Sequence, residues 1–139
     1  MAELKVFNTV SEFIKAIDDQ IAKLRSDLGS YLRDLDNIRA KAERLLKLEE
    51  TLKKVGVRKE KIIETKELSL GGISIVINPT PLHDLKILED IVKGVQDKLM
   101  VLENIRKNIE PLRALEDVEA KVEAYFKDGV PTKLLIRIE

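Results

Sequence analysis

The longest regular pattern in the chain lies between Val10 and Leu52, where apolar residues recur at alternating steps of four and three. One column holds Val10, Ile17, Leu24, Tyr31, Ile38, Leu45 and Leu52; the other holds Ile14, Ile21, Leu28, Leu35 and Ala42, and Glu49 breaks it. A mean spacing near 3.5 residues keeps one narrow stripe facing a partner helix, so the pattern predicts a coiled-coil seam. Thr9-Val10-Ser11-Glu12 reads as a capping box at the start, and Gly56 reads as the stop, which places the first helix over 9–55. Gly29 lies off both columns and marks either a weak point or a close approach.

From Lys61 onward the period changes to two, and a β-hairpin is predicted over 61–78. If Gly71-Gly72 forms a two-residue turn, Leu70 pairs with Ile73 and Leu68 with Ile75, so that Leu68, Leu70, Ile73, Ile75 and Ile77 share one face. A lone two-stranded hairpin is marginal in water, so this face must cover something or pair with another chain.

Thr80-Pro81 opens a second helix, predicted over 80–128 with a kink near Pro111 and a stop at Gly129. Its seam runs Leu85, Leu88, Val92, Val95, Leu99 and Leu102, slips at Ile105, continues through Ile109 and Leu112, and slips again at Leu115 and Val118. Consecutive three-residue steps read as stammers in a coiled coil. Short strands are predicted at the two ends, over 2–7 and over 132–138, the latter with Leu134, Ile136 and Ile138 on one side. The predicted fold is α+β, mainly α: one elongated domain over 1–139, a long antiparallel helical hairpin with a central β-hairpin and short terminal strands. A first helix of this length spans roughly 65 Å, and a straight return brings both termini to one end, where the two terminal strands can pair. A sharp fold-back at Pro111 is the competing topology.

Composition narrows the chemistry. The chain has no cysteine and a single histidine, His83, which removes disulfides, thiolate metal sites and multi-histidine zinc sites. Aromatics make up only 4% of residues while 36% are charged, a mixture that suits aliphatic helix seams better than a small-molecule pocket. The lysine- and glutamate-rich, Cys-free and Trp-free composition resembles that of thermophile proteins. No apolar run spans a bilayer and Met1 to Asn8 has no signal-peptide pattern, so a cytoplasmic protein without membrane contact is expected.

Candidate sites are few. His83 in the first turn of helix 2 could act as a neutral base, but with no nucleophile or oxyanion motif nearby it reads as an ordinary first-turn residue. Adjacent carboxylates such as Asp18-Asp19 and Glu116-Asp117 do not share a helix face, and Gly71-Gly72 lacks the lysine and helix of a phosphate loop. No catalytic residue, metal or cofactor is expected. The equal totals of 25 basic and 25 acidic residues hide a polarity: Arg39 to Lys66 holds ten basic against five acidic residues. Arg39, Lys41, Arg44, Lys47, Lys53, Lys54, Arg58, Lys59 and Lys61 form a patch for an anionic partner, with nucleic acid disfavoured because no aromatic accompanies them.

A long heptad helix, a central apolar hairpin around Gly71-Gly72 and a second heptad helix from Leu85 onward resemble a prefoldin subunit over Val10 to about Ile109. The resemblance implies hairpins assembling into an oligomeric β-platform and coiled coils that hold unfolded protein. The chain departs from that family at Pro111 and at the strand Leu134 to Ile138, which would offer a second oligomerisation element. The expected function is a non-enzymatic homo-oligomeric chaperone or assembly subunit. Its oligomerisation residues would be Ile14, Ile17, Ile21, Leu24, Leu28, Leu35, Ile38, Leu45, the five hairpin residues, Leu134, Ile136 and Ile138. The alternative is a dimeric coiled-coil scaffold that uses the basic patch.

Overall fold

A computed structural model describes residues 1–56 and 65–138 of the 139-residue chain. The order of elements is β1 (Ala2–Phe7), α1 (Val10–Lys54), β2 (Lys66–Leu70), β3 (Ile73–Ile77), α2 (Pro81–Asn108), a 3-10 turn (Glu110–Leu115), β4 (Ala120–Lys127) and β5 (Val130–Ile138). The fold is α+β and mainly α, with two small antiparallel sheets. The chain divides into two compact units: Met1–Leu28 with Gly94–Glu139, and Gly29–Lys93. We call them the sheet unit and the hairpin unit.

Helix α1 starts and stops where its sequence signals stand. The Glu12 amide donates to Thr9 Oγ1 at 3.1 Å, and the Asn8 amide donates to Glu12 Oε2 at 3.0 Å, one residue earlier than in the usual box. At the far end Gly56 takes φ +80°, and its amide donates to the Lys53 carbonyl. Every seam position of α1 from Val10 to Leu52 is buried or half-buried, including Glu49. A Cβ at Gly29 would meet only Arg33 Nη1, at 3.9 Å, so no close approach requires that glycine.

In the sheet unit the strand order is β1-β4-β5, all antiparallel. One face of the sheet packs on the helices. Val10, Phe13, Ile14, Ile17 and Ile21 of α1, Leu99 and Leu102 of α2, and Val122, Ala124 and Phe126 of β4 form one core cluster. Phe7 meets Phe13 edge-to-face with centroids 5.5 Å apart. Phe13 lies outside the two-column seam and is buried because this end of α1 faces the sheet as well as α2.

Three expectations for the C-terminal third are corrected here. Helix α2 does not reach residue 128 with a kink; it ends at Asn108, and Pro111 occupies the first turn of a 3-10 helix. Pro111 has no amide to bond the Lys107 carbonyl and its ring crowds that carbonyl, so the α-helix cannot continue. The second slip, from Leu112 to Leu115, is therefore not a stammer but the three-residue period of the 3-10 turn, and Ile109, Leu112 and Leu115 pack on the core. Residues 120–127 are a strand, in which Ala120, Val122, Ala124 and Phe126 alternate inward. Asp128 and Gly129, both at positive φ, are the turn between β4 and β5 and not a helix stop. Finally, the terminal strands β1 and β5 are not neighbours, because β4 lies between them.

The single chain already covers much of the predicted oligomerisation seam. Ile14, Ile17 and Ile21 sit in the core cluster, and Leu24, Leu28, Leu134 and Ile136 are partly buried against it. In the hairpin unit Leu35 is buried and Ile38 and Leu45 are half-buried, while Leu88 and Val92 of α2 are also buried. These residues serve the chain's own core. Of the predicted set, the surface left over is the hairpin face and Ile138 at the end of β5.

Candidate functional site

The β2–β3 hairpin forms with the register its sequence predicts. Leu70 pairs with Ile73 and Leu68 with Ile75, and Gly71 and Gly72 take φ +55° and +87°. Two consecutive positive φ values define the turn type that matches strand twist, and glycine adopts them without a Cβ clash. The remaining residues of the predicted range, 61–64, lie outside the described residues. Leu68, Leu70, Ile73, Ile75 and Ile77 share one face with Lys66, while Glu67, Ser69, Ser74 and Val76 occupy the other. The apolar face is open: Leu68, Leu70, Ile73 and Ile77 are 39%, 59%, 63% and 47% exposed. The sheet has two strands, so each also presents an outer edge.

His83 anchors this hairpin. Its Nδ1 accepts the Thr80 amide at 3.2 Å and lies 2.9 Å from Thr80 Oγ1, while Nε2 lies 2.8 Å from Glu67 Oε1 on β2. With Nδ1 accepting, Nε2 carries the proton and donates to the carboxylate. Both ring nitrogens are thus engaged in tying β2 to the start of α2, which leaves neither free for proton transfer to a substrate. Thr65 Oγ1 donates to the Asn78 carbonyl at 2.7 Å and closes the base of the hairpin. The sequence placed His83 in the first turn; only folding brings Glu67, sixteen residues earlier, to its ring.

Of the predicted anionic-partner patch, Arg39, Lys41, Arg44, Lys47, Lys53 and Lys54 are exposed on α1. Arg39 approaches Glu89 of α2 at 4.0 Å, and Arg44 Nε donates to the Ala40 carbonyl. Arg58, Lys59 and Lys61 lie outside the described residues.

In the sheet unit a groove between α1 and α2 is lined by Asp18, Ile21, Arg25, Glu103, Arg106 and Glu110. All of its charges except Lys107, which also lines it, are mutually paired. Arg25 donates to Glu103 at 2.9 Å, and Arg106 bridges Asp18 at 2.6 Å and Glu110. The Arg106 hydrogen bond holds Glu110 below the ordinary carboxylate range, and Glu110 and Asp18 in turn raise Arg106 above its usual value. This network joins the two helices, and of the charged groups lining the groove Lys107 stands outside it. Among the described residues no group of three or more histidines or acids is placed to hold a metal ion, and no helix is long and apolar enough to cross a membrane.

Comparison with protein-family models, with curated proteins and with solved structures finds no match to this chain.

Proposed function

We propose that this protein is a non-enzymatic, homo-oligomeric subunit that assembles through its β2–β3 hairpin and acts as a prefoldin-like chaperone or assembly factor. One observation carries the reading: a two-stranded hairpin with an open aliphatic face and two outer edges. Such an element gains stability when other strands join it. A fully buried Leu or Ile contributes about 1.5–3 kcal/mol, so covering five partly exposed aliphatics offers on the order of 5 kcal/mol per chain. The seams of α1 and α2 support a coiled-coil arrangement of the helices that carry the hairpin.

The test is the solution mass of the full chain by light scattering, alone and as the Leu70→Lys/Ile73→Lys variant. The native chain should be a multimer and the variant a monomer with unchanged helix content; a native monomer, or a variant of unchanged mass, refutes the assembly. Suppression of client aggregation, followed by turbidity, should be lost with the same variant. A second reading is favoured by the exposure of the α1 basic residues: a dimeric scaffold that holds an anionic partner along Lys41, Arg44, Lys47, Lys53 and Lys54. It requires salt-sensitive retention on a polyanion that is lost when these residues are neutralised.

A further inference from the structure

The sheet unit has a second face that the core does not use. Directly paired residues share a sheet face, so the register places Leu4, Tyr125 and Lys133 in one row across β1, β4 and β5, and Val6, Glu123 and Leu135 in the next. Lys121 and Arg137 pair beyond them, and Lys127 follows Tyr125 along β4. These are the outward positions, since Val122, Ala124 and Phe126 point into the core.

Charge on this face is one-sided. Arg137 pairs with Glu123 at 3.2 Å, which leaves Lys121, Lys127 and Lys133 without an ion-pair partner within 4.0 Å among the described residues. The rest of the unit is not basic: Met1–Leu28 and Gly94–Glu139 together hold twelve basic against fourteen acidic residues. The three lysines are therefore a local concentration of positive charge on a unit of net negative charge. A second copy meeting this face with its own would bring lysine to lysine. An apolar protein partner is also a poor match, because Glu123 separates Val6 from Leu135 and the aliphatics do not make a continuous patch.

Tyr125 differs from the other aromatics of the chain. Phe13 and Phe126 are buried and Phe7 and Tyr31 half-buried, whereas Tyr125 is 41% exposed, on the central strand, with Lys133 beside it and Lys127 two residues along. An aromatic ring on an open antiparallel sheet, flanked by lysines, is the combination that takes an unpaired base on the ring and its phosphates on the ammonium groups. The basic patch of α1 lacks the ring. We propose that the outward face of the β1-β4-β5 sheet binds single-stranded nucleic acid, with a base stacked on Tyr125 and phosphates held by Lys121, Lys127 and Lys133. The inference is independent of hairpin assembly, because no hairpin residue takes part.

Fluorescence anisotropy of a fluorescein-labelled 15-nucleotide oligo(U) with the full chain, titrated at several KCl concentrations, tests it. Binding should weaken as salt rises, with a log–log slope of about −2, from roughly 0.7 per phosphate for three lysines. Tyr125→Ala should weaken binding about 10-fold while Tyr125→Phe retains it, since stacking needs the ring and not the hydroxyl. Lys127→Gln/Lys133→Gln should flatten the slope by about 1.4. Lys47→Gln/Lys53→Gln on α1 should leave both unchanged. Thermal melts of all variants establish that each is folded; Tyr125 is exposed and outside the core. Absence of binding at 50 mM KCl overturns the proposal. So do equal affinities of Tyr125→Ala and the native chain, loss of binding with the α1 variant only, and equal competition by polyglutamate, which would indicate attraction to any polyanion.

Discussion

The two units of this chain are built from similar residues and treat them differently. Among the described residues, the sheet unit buries ten side chains in one continuous cluster that draws on α1, α2 and β4. Among the described residues, the hairpin unit buries only Leu35, Ala42, Leu88 and Val92, and it leaves Leu46, Leu48, Leu70, Ile73, Ile77 and Ile87 exposed. The difference is one of layers. In the sheet unit a three-stranded sheet closes over the helices and gives them a third surface; in the hairpin unit two strands give the helix seams no such cover. The sheet unit encloses a continuous core and the hairpin unit does not, although both leave apolar side chains open, Leu4, Val6, Met100 and Ile138 among them in the first.

The strongest way to break that contrast is to truncate one side chain in each unit. Ile17→Ala in the sheet unit should cost about 2–5 kcal/mol, because the residue is fully buried in a packed core. Ile73→Ala on the hairpin should cost under about 1 kcal/mol in a chain diluted to the monomer, since its side chain is open to solvent. Urea unfolding of both variants checks this, and equal losses would remove the distinction.

Turn chemistry gives a smaller version of the same comparison. Gly129 takes φ +78°, and a Cβ there would run into Lys98 Nζ, with the Gln20 amide group also close and donating to the Gly129 carbonyl. Gly71 takes φ +55° with nothing within 4 Å of such a Cβ. Gly129→Ala should therefore destabilise by about 1–2 kcal/mol, from backbone strain plus displacement of Lys98, and Gly71→Ala by about 1 kcal/mol, from strain alone. Thermal melts of the two variants decide the order.

Inside the helices, Gly94 faces open space and a Cβ at Gly29 would make only an ordinary contact with Arg33. Gly29→Ala and Gly94→Ala should each stabilise by about 0.5–1 kcal/mol through helix propensity, read as a rise in melting temperature. The smallest effect is the pH dependence of the Arg106–Glu110 link in the sheet unit. Folding lowers the Glu110 pKa, chiefly through the Arg106 hydrogen bond, so its contribution is complete above the unfolded carboxylate value and is lost as pH falls through the folded one. The melting-temperature difference between the native chain and Glu110→Gln should be constant from pH 7 to about 5 and shrink below about pH 4. A difference that persists at pH 2 would show that the carboxylate charge is not its source.

Legibility from sequence also divides by region. The limits of α1 and the hairpin register could be read because each rests on local chemistry: Thr9, Glu12 and Gly56 act within a turn of themselves, and Gly71-Gly72 permits a turn that closes without outside help. The start of α2 was equally readable at Thr80-Pro81. The C-terminal third misled because Ala, Glu and Lys dominate residues 114–127, and these favour a helix when nothing else decides. Two local signals did point the other way: the alternation of Val122, Ala124 and Phe126, and Asp128-Gly129, a strong hairpin dipeptide that reads as a helix stop if a helix is assumed. The basic and aromatic sheet face was invisible for the same reason, since Tyr125 and Lys133 meet only if 120–127 is a strand.

What this chain determines by itself is periodicity: which residues turn inward along α1, β2, β3 and most of α2, because backbone geometry repeats every 3.6 or 2 residues wherever it forms. Tertiary structure alone decided what those inward faces meet. Ile14, Ile17 and Ile21 look like a seam for a second chain, yet they are covered by this chain's own Leu99, Leu102 and Val122, because β4 returns over them after Pro111 ends the helix. A pattern of apolar positions specifies a face to be buried, and only packing specifies against what.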